Sequence, residues 1–154
     1  MTETAAPSPT RVIATELFGA LEVRVEHLIE FREGIPGFPE CRQWVLIDGA
    51  KPGTVWLQSV DHRALAFFLV DPFPHFDGYA VDLTPSELRR LGADASTSIA
   101  VFAIVTLPAA RELPATVNLQ APVAMDLAQR RAAQIVVSDS AWTVREPLDL
   151  ARLG

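Results

Sequence analysis

The sequence predicts an all-β, mainly antiparallel fold, a barrel or a sandwich, with one short helix near residues 85–91. Three observations carry this expectation. The chain has 154 residues, the usual size of a single domain with one hydrophobic core. Eight or more short runs show strand-like apolar patterning and are separated by Gly, Pro and Asp turn signals. Only one segment carries both the start and the stop signals of a helix.

From Val12 to Val25 the chain reads as two short strands around Phe18-Gly19. In the second, Leu21, Val23 and Val25 alternate with Glu22, Arg24 and Glu26, the pattern of a half-buried strand. Next comes FREGIPGF, Phe31–Phe38, an unusually apolar turn. Ile35-Pro36-Gly37-Phe38 fits a type II turn, with Pro36 fixing φ and Gly37 supplying a positive φ. Phe31, Ile35 and Phe38 are then expected to fold beneath it and close one end of the core. Gln43–Ile47 and Val55–Ser59 read as strands on either side of an Asp48-Gly49, Pro52-Gly53 loop. Leu65–Val70 is the next strand and stops at Asp71-Pro72, because proline cannot donate to a sheet ladder. An aromatic loop follows, and Tyr79–Leu83 resumes extended structure.

The helix signal is TPSELRRLG: Thr84 caps, Pro85 suits the first helical position, Glu87 completes a capping box and Gly92 terminates. Leu88 and Leu91 would face the core. Ile99–Leu107, Ala115–Ala121, Val123–Leu127 and Gln134–Val137 complete the strands, and the tail from Ser138 has no clear pattern.

Hydrophobic residues make up 49% of the chain and the mean hydropathy is +0.22. The longest apolar runs, Ala64–Val70 and Ile99–Val105, are seven residues each. A spanning helix needs about 20, so no membrane insertion is expected. MTETAAPSPT has neither a basic start nor an apolar core, so residues 1–10 read as a disordered leader and the protein as cytoplasmic. The formal net charge is −6 with no basic block, which disfavours direct nucleic-acid binding and favours a basic protein partner.

Chemistry-bearing motifs are scarce. His27, His62 and His75 match no metal spacing, Cys41 has no visible base beside it, and no glycine-rich phosphate loop occurs, so no catalytic residue, metal or cofactor is expected. Gln58, Ser59 and Asn118 read as side chains that satisfy nearby backbone groups. Trp44, Trp56, Phe67, Phe68 and Phe102 read as core. The candidate partner surface is the proline-broken loop DPFPHFDGY: Phe73, Phe76 and Tyr79 as aromatic anchors, Asp71 and Asp77 as a charged rim.

Taken in order, FREGIPGF, VWLQSVDHRALAFFLVDPF, VFAIVTLP and ATVNLQAPVAM resemble the flagellar assembly factor FliW family from Val12 to Leu148. The resemblance implies a small β-barrel-like domain over residues 11–148, with 149–154 as a C-terminal tail. It also implies a non-enzymatic protein that binds flagellin and the translational regulator CsrA, relieving CsrA repression of flagellin mRNA by partner switching. The alternative reading is a β-barrel enzyme or small-molecule carrier with an interior pocket. Two departures stand out: His62 follows Asp61 where the family pattern has proline, and the family's TANL reads Thr116-Val117-Asn118-Leu119.

Overall fold

The computed structural model describes residues 9–108, 110, 113–137 and 141–153, with only the backbone of Arg152 and Leu153. The leader expected at 1–10 lies outside these up to residue 8, as do Ser138 and Ser140, and Thr10 already opens the first strand. The strands are β1 (Thr10–Thr15), β2 (Gly19–Arg24), β3 (Ile29–Glu30), β4 (Gln43–Asp48), β5 (Thr54–Ser59), β6 (Ala66–Val70), β7 (Ala100–Thr106), β8 (Ala115–Asp126), β9 (Arg131–Gln134) and β10 (Glu146–Leu148). One short helix, α1 (Pro85–Arg90), lies between β6 and β7.

β8, β7, β6, β5, β4, β3 and β9 form a ring that closes through β8–β9, a seven-stranded barrel. All its pairings are antiparallel except β3–β9, which meet only at Glu30 and Arg131. β10 extends the sheet from the first residues of β8, and β1–β2 form a separate hairpin. The fold is therefore the expected all-β one.

The lumen is filled. Ile29, Phe31, Trp44, Leu57, Leu69, Val123 and Met125 are wholly buried in one cluster. FREGIPGF packs its apolar side chains into this cluster, with Phe31 and Ile35 buried and Phe38 against them. Phe38 N–H donates to the Ile35 carbonyl at 2.7 Å, Gly37 has φ 93°, and Phe31 and Phe38 lean edge-on against Trp44 and Phe67. Gly34 is required there: its φ is 66°, and a Cβ would lie 2.6 Å from both the Phe38 carbonyl oxygen and Pro39 Cα.

Three covers lie outside the barrel. The β1–β2 hairpin packs Ile13 and Val23 on Val45 of β4. Residues 71–83 and the C-terminal segment cover β6–β8 through Tyr79 and Leu148 against Val70, Val105, Val117 and Leu119. α1 leads Leu91 onto Ala124 and Ile135. Its Thr84–Glu87 capping box is formed, and Gly92 at φ 69° ends it, with Ala93 N–H reaching the Leu88 carbonyl at 2.8 Å. Leu91 is buried and Leu88 half-buried.

Some expectations need correction. Tyr79–Leu83, expected to be extended, joins no ladder. Ala115–Asp126 make one strand rather than two: register jumps from Phe102–Val123 to Ile104–Asn118, and the Asn118 side-chain oxygen accepts from Ala121 N–H at 3.0 Å within the bulge. The strand expected at 134–137 is instead Arg131–Gln134, sharing only Gln134 with the expected range. Gln58, fully buried, donates to the carbonyls of Ser59, Arg63 and Leu65, and Ser59 Oγ accepts from Asp61 and His62 N–H. A proline at position 62 could not make that last bond.

Candidate partner-binding site

The loop DPFPHFDGY is folded by its own backbone. Asp71 N–H donates to the Gly53 carbonyl at 2.8 Å, and the Asp71 carboxylate accepts from Phe73 N–H at 3.2 Å, an Asx turn. The Pro72 carbonyl accepts from both His75 and Phe76 N–H at 3.1 Å, and Gly78, at φ 80°, turns the chain towards Tyr79.

The three aromatic residues named from the sequence come together, with different roles. Tyr79 is only 6% exposed and its hydroxyl donates to the Leu119 carbonyl at 2.8 Å. Burial pushes its phenol up to about 12. It therefore anchors the loop to β8 and offers no ring face to a partner. Phe76 is half-buried, edge-on to Trp142 at 5.9 Å, and Tyr79 meets the same indole at 5.7 Å. Phe73 is 43% exposed and rests on Tyr79 at 5.7 Å, so it is the anchor that faces outward. Asp77 is exposed, whereas Asp71 is half-buried in its own turn.

Beside this loop lies a cleft of about 920 Å³, walled by Pro74, His75 and Phe76, by Pro108, Leu113 and Pro114 of the β7–β8 connection, and by Pro147–Leu150. A smaller apolar cleft of about 290 Å³ adjoins it across Leu150 and is lined by Trp56, Phe68 and Leu107. Leu107 and Leu113 are about half-exposed. Leu113 lines the larger cleft and Leu107 the smaller one. The sequence reading missed Trp142, Leu107, Leu113 and Leu150; Pro108, Pro114 and Pro147 were the available signal, since prolines pin loops at sheet ends.

Among the described residues no group of three His, Cys, Asp or Glu side chains could hold a metal ion, and no helix is long and apolar enough to cross a membrane. The class this defines is a small β-barrel whose lumen is packed and whose clefts lie outside, between loops. Comparison with known proteins makes this specific. The family model described as FliW protein matches residues 12–148. The flagellar assembly factor FliW of Treponema denticola is 34% identical over 92% of this chain and 95% of its own. That of Exiguobacterium sp. is 36% identical over 88% and 93%. The crystal structure of a flagellar assembly factor FliW superposes with a TM-score of 0.82 at 30% identity, covering 92% of this chain and 99% of its own. The chain belongs to the FliW family of flagellar assembly factors.

Proposed function

We propose that this protein is a cytoplasmic, non-enzymatic regulator that binds flagellin and the translational regulator CsrA in exchange. While flagellin is abundant it occupies the protein and CsrA represses flagellin mRNA. Once flagellin is exported, the freed protein captures CsrA and relieves the repression. The observation that carries this reading is the FliW match over residues 12–148, the whole barrel with its covers. The exposed Phe73 of the 71–79 loop, with Leu113 and Leu107 on the two clefts, gives it apolar contact residues, and Asp77 and the net charge of −6 suit a basic partner. Negative charge held beside an RNA-binding surface would also oppose RNA at a distance.

A carrier with an interior pocket would need room in the lumen, where Trp44, Leu57, Leu69 and Met125 are packed instead. The test is a titration of the purified protein with CsrA, followed by added flagellin. A complex at micromolar concentration that flagellin dissociates or weakens is expected. Absence of a complex with either protein overturns the proposal.

A further inference from the structure

β4 is six residues long, but β3 pairs only with its first two, Gln43 and Trp44. Backbone groups along a strand alternate sides. The bond from Gly49 N–H to the Thr54 carbonyl, 2.9 Å, sets Val45 and Ile47 towards β5. Leu46 and Asp48 therefore present their N–H and C=O groups on the side where β3 has ended. The same argument applies to β2. Val25 N–H donates to the Pro9 carbonyl at 2.9 Å, which turns Leu21 and Val23 towards β1 and leaves Glu22 and Arg24 on the outer edge.

Both edges border one cleft of about 560 Å³, lined by residues 21–24 and 45–47 together with His27 and Arg130. Natural sheets blunt such edges with charge or proline, as Pro147 does on β10; on the open side of β4 Asp48 carries a charge at the far end, but Leu46 carries neither. Leu46 packs against the lumen cluster and is still only half-buried, so the wall is thin here.

Two arginines line one end of the cleft: Arg130, and Arg24, which also meets the Glu26 carboxylate at 3.8 Å, with Glu22 and His27 beside them. Arg130 has φ 56°, rare for a residue other than glycine, and its Nη2 donates to the His27 carbonyl at 2.5 Å. Its Nε is buried and makes no hydrogen bond.

We propose that this cleft takes an extended, acidic peptide segment of a partner protein, which adds to β4 as a strand beyond β3 and sets a side-chain carboxylate against Arg130 and Arg24. The site lies on a different face from the 71–79 loop, which covers β6–β8, and it stands or falls independently of which proteins bind there.

The probe is an acetylated, amidated peptide of alternating threonine and valine, about eight residues long, with one central glutamate, titrated into the isotope-labelled full chain. Saturable shifts and slowed exchange at the Leu46, Asp48, Glu22 and Arg24 amides are expected. The matching glutamine peptide should bind about tenfold more weakly. Arg130→Gln should erase that difference, and Arg24→Gln, at an exposed position, should reduce it if Arg130→Gln does not fold. Asp48→Pro removes an edge donor but no β4–β5 bond and should weaken both peptides. Four results would each overturn the proposal: Leu46 and Asp48 amides already protected in the free chain, protection that grows with protein concentration alone, shifts confined to another face, or no shift at about 1 mM peptide.

Discussion

Tyr79→Phe isolates the bond that ties the 71–83 cover to the barrel. The substitution keeps the ring, and with it the contacts to Phe73 and Trp142, but leaves the carbonyl of Leu119, a wholly buried residue, without the hydroxyl that reaches it at 2.8 Å. Stranding a buried acceptor costs about 1–3 kcal/mol. For a chain of this length that lowers Tm by about 2–12 °C. Urea unfolding with an unchanged slope should give the same loss. The chain has a single tyrosine, so its phenolate absorbance reports this site alone. The folded protein should titrate near 12, against an ordinary value of 10.0 for the unfolded chain. Burial raises the folded-state value, so the contribution to stability is whole below pH 10 and is lost as pH rises towards 12. Tyr79→Phe should remove that alkaline loss. A titration midpoint near 10 in the folded protein, together with a stability change below about 0.5 kcal/mol, would refute the buried hydrogen bond.

Gly34→Ala forces a side chain into a left-handed position and against the Phe38 carbonyl, and should cost about 2–4 kcal/mol by urea denaturation; Gly37→Ala, at φ 93° but facing open space, should cost less. Phe73→Ala should weaken partner binding in calorimetric titration while moving Tm by no more than about 2 °C, because its ring is largely outside the core. Phe76→Ala, which strips an edge-on contact from Trp142, should instead lower stability by about 1–2 kcal/mol alongside any effect on binding. Thr84→Ala breaks both hydrogen bonds of the capping box and should cost about 1 kcal/mol, measured by thermal unfolding.

The elements written locally were legible in the sequence. The type II turn at Ile35–Phe38 and the capped helix after Thr84 are each specified by residues within one turn of where they act. The extended structure expected at Tyr79–Leu83 forms no strand. Tyr79 is buried and Val81 and Leu83 half-buried while Ala80 and Asp82 point outward, so the period of two is present, yet this stretch covers a sheet and is not a strand of it. Periodicity reports which side chains are buried and says nothing about where backbone hydrogen bonds go. β3 and β10 escaped notice because two or three residues carry no period, and their pairing depends on partners far along the chain. At the candidate site the aromatic cluster was legible, but Tyr79 and Phe73 look alike in sequence. Only the position of Leu119, forty residues on, makes one an anchor and leaves the other exposed.

The parallel meeting of Glu30 with Arg131 has a bearing on the order in which the molecule assembles. Hairpins such as β4–β5 and β5–β6 join strands that are neighbours in the chain. The seam must bring together segments a hundred residues apart, at a loop-closure cost of about 4 kcal/mol for little hydrogen bonding in return. An open curl of strands from β4 to β9 can therefore form first, with the ring shut as a late and readily reversed event. Any strand laid against β4 beside β3 would lengthen that short side and act as a latch, so that occupying the cleft and holding the cylinder shut become one equilibrium.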